Sequence, residues 1–239
     1  MQRFANPTRF LRLAAIVQPW LAGVTAVLIA SGLYLGLFAS PPDYQQGETV
    51  RIMYVHVPSA WMGMFVYANM ALASLFSLVW KHPLSDIAAK ASAPVGAGFT
   101  FVCLVTGALW GKPMWGTWWV WDARLTSMLI LLFLYFGYMA LIEAFDDPTR
   151  GAKAGAILCL VGSVNLPIIK FSVDWWNTLH QPASVVRAGM PTIATPMLIP
   201  LLLMGVGFTT FYLTLLILRM RSELASARIR TIRILKAHD

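Results

Sequence analysis

Charge is scarce in this chain: only 12% of its 239 residues are Asp, Glu, Lys or Arg, where soluble domains carry about 25%. With 58% of the residues apolar, 28 charges are too few to cover the surface of a soluble domain of this size. A soluble globular enzyme and a disordered chain are thereby excluded. Cysteine is scarcer still. Cys103 and Cys159 stand far apart within apolar runs, with no C-x-x-C and no C-x-x-C-H. That removes a disulfide scaffold, a thiol redox motif and covalent haem attachment. No Walker A pattern occurs, so the chain has no phosphate-binding loop of its own for energy coupling. The outer acids Asp43, Glu48, Asp122 and Asp174 are scattered, and no nucleophile–base or carboxylate pair suggests catalysis. The expectation is that the protein is not an enzyme.

Long uncharged runs are what the chain does have. Residues 13–42, 52–80, 91–111, 125–142, 154–169 and 188–218 are free of acidic and basic side chains. A spanning helix needs about 20 mostly apolar residues, and the alternating strands of a membrane barrel are absent. The runs predict an all-α, polytopic membrane protein with six spans near 17–39, 57–80, 92–110, 125–144, 152–171 and 196–218. Lys153 and Lys170 can snorkel from the ends of the short fifth span. The first run is longer than a signal-peptide core and reads as a span. Gly151, Gly155 and Gly162 give the fifth span a small face suited to helix packing.

Positive charge sets the expected orientation. With the N-terminus inside, Arg3, Arg9, Arg12, Lys81, Lys90, Arg150, Lys153, Arg219, Arg221, Arg228, Arg230, Arg233 and Lys236 are internal. Only Arg51, Lys112, Arg124, Lys170 and Arg187 are external. Both termini then read as cytoplasmic, in a single integral domain over 1–239. Its basic tail, 219–239, is a topology anchor near anionic lipid rather than a nucleic-acid reader.

This topology sorts the four histidines. His82 and His238 fall inside; His56 and His180 fall outside at the membrane edge. Both outer residues sit in a His-x-Pro context, His56-Val57-Pro58 and His180-Gln181-Pro182. Proline favours the first turn of a helix, so both imidazoles are expected just before helix starts at similar depth. Five of the ten tryptophans lie between Trp110 and Trp121, in the external segment 111–124 between spans three and four. Trp115, Trp118, Trp119 and Asp122 would share one face if that segment were helical. An interfacial belt places one or two tryptophans per helix end, and this density exceeds it. Each indole buries about 150–250 Å², worth roughly 4–6 kcal/mol at ~25 cal/mol per Å². The cluster must therefore cover lipid, protein or a flat apolar ligand. A porphyrin is such a ligand, and its iron accepts imidazole nitrogen. Arg51, Lys112, Arg124 and Arg187 are external cations available to propionates, and Asp122 could orient Arg124 or cap the next span.

Trp115-Gly116-Thr117-Trp118-Trp119-Val120-Trp121-Asp122 resembles the WWD signature of haem-handling membrane proteins, and the flanking histidines resemble that group too. With six spans, the chain is similar over nearly its whole length to the cytochrome c maturation protein C, or haem exporter protein C, family. The resemblance implies a protein of the bacterial cytoplasmic membrane whose site faces the periplasm. It implies haem b as the held cargo, with His56 and His180 as axial ligands. Trp115, Gly116, Trp118, Trp119, Trp121 and Asp122 would contact haem or its acceptor. The implied acceptor is a periplasmic haem chaperone, cytochrome c maturation protein E. The other implied partners are the ABC transporter built from cytochrome c maturation proteins A and B, and a small membrane protein, cytochrome c maturation protein D. The alternative is a transporter that moves haem through the helix bundle, which the near absence of charge inside the spans argues against. A b-type electron-transfer cytochrome would instead pair its histidines in the bundle core.

Overall fold

A computed structural model describes residues 6–185 and 187–236, without the side chains of Thr231 and Ile234. Arg3 and His238, both counted above as internal, lie outside the described residues. The described chain is all-helical: α1 (Pro7–Tyr34), α2 (Met53–Trp80), α3 (Pro83–Trp115), α4 (Ala123–Glu143), α5 (Pro148–Gly162), α6 (Asn165–Trp175) and α7 (Thr195–Lys236). Six segments are long and apolar enough to cross a membrane, α5 and α6 together forming the fifth.

The fifth span is expected to be continuous, but it breaks at Ser163–Val164. Pro167 explains the break, because it has no N–H for the Ser163 carbonyl and its ring would strike that carbonyl in an unbroken helix. The Leu166 N–H bonds to Ser163 O at 3.0 Å instead. Asn165, buried just past the break, donates to Ser127 O on α4 at 2.9 Å. That bond satisfies an amide that would be costly to leave unpaired within a membrane.

Small residues bring the helices together. Gly32 lies against Met204, Gly207 against Ile29, and Gly155 and Gly162 against Tyr138 and Tyr67. With little hydrophobic drive between helices in lipid, such close approach supplies the packing contacts. Tyr54, Tyr67, Met70, Leu131, Tyr135 and Met204 fill the interior, and the Tyr135 hydroxyl donates to Gly63 O at 2.7 Å. α2 pairs mainly with α3, and α1 with α7.

The α2–α3 connection is two residues long, with Lys81 in the left-handed region (φ 49°) and Pro83 opening α3. This up-and-down path gathers residues 40–52, 116–122, 176–185 and 187–194 at one end of the bundle. The 81–82 and 144–147 connections lie at the other, with both ends of the described chain; there Arg221 bonds to Gln18. α7 has 42 residues, about 63 Å at 1.5 Å per residue, roughly twice the hydrocarbon thickness. Its basic residues past Leu224, namely Arg228, Arg230, Arg233 and Lys236, are exposed.

Candidate functional site

His56 enters the site on α2. A 3-10 turn, Glu48–Ile52, leads into the helix, so α2 begins at Met53 and His56 lies inside its first turns rather than ahead of them. Pro58 is likewise an interior helix residue. The imidazole is 7% exposed and is held against α3. Its Nδ1 lies 3.0 Å from Cys103 O and 3.1 Å from Thr106 Oγ1. Thr106 gives its own hydroxyl proton to Val102 O at 2.6 Å, so its oxygen accepts. Both contacts place the proton on Nδ1 and leave Nε2 with its lone pair. Gly107 makes room, because a Cβ there would lie 2.9 Å from His56 Cε1. Trp110 meets the ring edge-on at 5.6 Å and is itself fixed by its Nε1–H donating to Gln46 Oε1 at 2.9 Å.

His180 arrives from the irregular stretch between α6 and α7. The helix expected after Pro182 does not form, and α7 begins only at Thr195. Gly189 at φ 106° and Pro191 interrupt the intervening backbone. The His180 N–H is held by Thr178 Oγ1 at 3.2 Å. The two histidine rings nevertheless converge: their centroids are 6.2 Å apart and their planes only 18° from parallel. Trp115 meets His180 edge-on at 5.7 Å. Burial, with the positive charge of Arg124 and the neighbouring His56 adding to it, pushes the His180 pKa down from 6.5 to about 3. Its imidazole is therefore neutral and able to donate a lone pair at physiological pH.

The tryptophan segment is not the helix considered above. Gly116 takes a left-handed conformation (φ 75°) and ends α3, a role that glycine fills without Cβ strain. Thr117 then folds its hydroxyl onto the Trp119 backbone, accepting from the N–H at 3.4 Å and donating to the carbonyl at 3.0 Å. The chain runs irregularly to Asp122, whose Oδ1 caps α4 by accepting from the Leu125 N–H at 2.8 Å. Of the two roles open to Asp122, capping is the one seen. Trp119 packs edge-to-face on Trp121 at 5.4 Å. Trp118 and Trp121 are exposed, at 54% and 75%. Trp119 Nε1 and Asp122 Oδ2 are buried without a hydrogen-bond partner among the described residues.

The four candidate cations separate. Arg51 is bound by Glu48 and by the carbonyls of Gly36 and Leu37 in the π-helical turn, Leu35–Ala39, that follows α1. Lys112 donates to Gly116 O at 3.0 Å and lies 5.9 Å from the Trp118 ring centre, bracing the α3 terminus. Arg124, in the first turn of α4, donates to Ser172 Oγ at 3.1 Å and Lys170 O at 3.3 Å on α6. With Lys170, Asp174 and Arg187 it lines a groove of about 560 Å³. His82 lies at the opposite end, in the residue position just before α3. Sequence reasoning missed Thr106, Gly107, the Cys103 carbonyl and Lys170. The only trace of the first two is a small, polar interruption in the apolar run 91–111.

Two imidazole nitrogens on one metal are about 4 Å apart at ~2.0–2.1 Å per bond, which puts the ring centres about 6 Å apart when the axis is linear. The observed separation suits that arrangement. Among the described residues no three His, Cys, Asp or Glu side chains form a metal cage. A metal here with these two protein donors would bring its remaining ligands with it, as a macrocycle does.

The family described as Heme exporter protein C matches residues 1–235. The chain is 60% identical over 233 residues to the Heme exporter protein C of Bradyrhizobium diazoefficiens, covering 98% of this chain and 88% of that one. It is 54% identical to the Haemophilus influenzae protein of that name, over 92% of this chain and 90% of the relative. The Escherichia coli K12 protein of that name is 48% identical, over 93% and 89% respectively.

Proposed function

Because this chain belongs to the Heme exporter protein C family, a multi-pass membrane protein with a role in haem handling for cytochrome c biogenesis, we propose that it holds haem b between His56 and His180 and passes it to a periplasmic haem chaperone. The observation that carries this reading is the imidazole pair itself: two rings, nearly parallel, with centres 6.2 Å apart. The excess of basic residues at the other end of the bundle supports a periplasmic position for this end, in a bacterial inner membrane. Haem supplies an iron with two open axial positions, and the protein supplies one nitrogen to each face.

In this reading the indoles of Trp110 and Trp115 shield the two ligand rings. Trp118 and Trp121 offer the exposed apolar surface to the acceptor. Arg124 and Arg187 take the propionates with Lys170, since guanidinium pairs well with carboxylate. Arg51 and Lys112 serve the fold through the contacts that already engage them. The filled interior around Tyr67, Leu131 and Tyr135 supports a protein that holds haem at one end over one that passes it through its middle. The partners proposed for delivery and release are the cytochrome c maturation protein E chaperone, the ABC transporter of maturation proteins A and B, and the small maturation protein D.

The test is the visible spectrum of the purified protein. A six-coordinate low-spin haem is expected. His56→Ala and His180→Ala should each lower haem content or change the spin state, and His82→Ala should do neither. A normal spectrum in both site variants would overturn the assignment.

A further inference from the structure

We propose that the two imidazoles are unequal: His56 is the resident ligand and His180 the exchangeable one, which leaves first when haem passes to an acceptor. This rests on the reading of the pair as axial ligands. It goes further by fixing the order in which they act and by making Thr106 a positioning residue.

The two rings are built in differently. His56 sits on a helix packed along α3, and everything that fixes its ring belongs to that neighbour. Its Nδ1–H has two acceptors, Cys103 O and Thr106 Oγ1, and its Cε1 fits against the bare backbone of Gly107. A hydrogen bond donated from the far nitrogen fixes the ring orientation and makes the ligating nitrogen more basic. To turn His56 away, both bonds must break and a buried N–H must go unpaired.

His180 has none of this. Its ring nitrogens have no hydrogen-bond partner among the described residues, and its ring meets the rings of Trp115 and His56. It is half-buried and belongs to the stretch 176–194, which has no helix among its described residues. That stretch is tied together by a few bonds of its own, such as Thr192 N–H to Ser184 O at 2.9 Å. Rotation of one side chain, with a small loop movement, frees it. A ligand without a supporting acceptor is the weaker donor, and a flexible loop is where a binding residue can move at low cost.

The exchange step balances without any redox partner. The bond from iron to the His180 nitrogen breaks and its electron pair returns to the imidazole. A neutral nitrogen or oxygen donor from the acceptor supplies the replacement pair. The iron keeps its oxidation state and its bond to His56 until the acceptor is engaged.

The experiment compares purified full-length His180→Gly and His56→Gly for haem content and spectrum, with added imidazole and with apomyoglobin as the haem sink. His180→Gly is expected to keep haem as a five-coordinate high-spin form that imidazole converts to six-coordinate low-spin. His56→Gly is expected to lose haem to apomyoglobin about 10–100-fold faster than His180→Gly. Thr106→Val, which removes an acceptor without touching either ligand, should speed loss in the same direction, and Thr106→Ser should restore it. Gly98→Ala, on the same helix with open space around the added Cβ, should change it little. If His56→Gly does not accumulate, the Thr106 pair carries the test by itself. Equal retention in the two glycine variants, better retention in His56→Gly, or an unaltered rate in Thr106→Val overturns the proposed order. A wild-type spectrum in both glycine variants instead overturns axial ligation by these residues.

Discussion

Gly107→Ala separates the effect of helix stability from that of ligand placement, because the two act in opposite directions. Alanine is the better helix former by about 1 kcal/mol, so α3 alone would be strengthened. The new Cβ, however, would lie 2.9 Å from Cε1 of His56, where ordinary contact begins at 3.4 Å. The ring must retreat from α3 by about half an ångström to reach ordinary contact. Its two acceptors, Cys103 O and Thr106 Oγ1, are on α3 as well, at 3.0 and 3.1 Å. The same retreat stretches both bonds to about 3.5 Å, the limit of a hydrogen bond. Each is worth about 0.5–1.5 kcal/mol net, so together about 1–3 kcal/mol of ligand positioning is lost, or roughly 5–150-fold in haem affinity. The assay is haem transfer from purified protein to apomyoglobin, with thermal unfolding measured alongside. Gly98→Ala is the control: it lies on the same helix, and its Cβ would meet nothing within 4 Å. Gly98→Ala should keep haem as the wild type does. Wild-type haem retention in Gly107→Ala would refute the placement of the His56 ring, its role as a ligand, or both.

Other consequences can be measured. Because the His180 pKa is lowered to about 3, its neutral form persists in the folded protein where an unfolded histidine, near 6.5, would be protonated. The unfolded chain therefore binds the extra proton between those values, and this residue's contribution to stability is lost progressively as pH falls below about 6.5. Haem should stay six-coordinate at pH 5; spectral loss centred near pH 6.5 would contradict the burial of His180. Trp121→Ala, at an exposed ring, should leave protein yield unchanged and impair chaperone loading, whereas Trp119→Ala, at a half-buried ring, should lower both; equal yield loss in the two would favour a purely structural cluster. Asp122→Ala should cost about 1 kcal/mol through the lost α4 cap, while Asp122→Asn, which can still accept from Leu125 N–H, should keep thermal stability. Gly162→Ala would place a Cβ 2.2 Å from the Tyr67 hydroxyl, an overpacking that typically costs about 1–3 kcal/mol, seen as a lower unfolding temperature.

Hydropathy made the six spans legible because lipid imposes a length and a chargelessness that no tertiary contact overrides. The break in the fifth span was not read, although Pro167 is its cause, because the apolar count passes through it undisturbed. The tryptophan segment shows the reverse. Spacing at 115, 118, 119 and 122 suits a helix, but the conformational freedom of Gly116 and the hydroxyl of Thr117 decide the local backbone. His56 and His180 could be paired by topology, since both fall at the same end of the bundle. Their unequal support could not, because it comes from Cys103, Thr106 and Gly107 on a third stretch of chain. A backbone carbonyl and a missing Cβ leave almost no mark in sequence. Arg51 and Arg124 were likewise indistinguishable as external cations until their partners, just past α1 and on α6, were seen.

The central claim is that one iron is held by two nearly parallel imidazoles, His56 and His180. Low-temperature electron paramagnetic resonance of the ferric haem-loaded protein tests it most directly. The account predicts a rhombic low-spin signal, as parallel ligand planes produce, that disappears in both His56→Ala and His180→Ala. A purely high-spin signal in the wild type, or a low-spin signal that survives both substitutions, would contradict it.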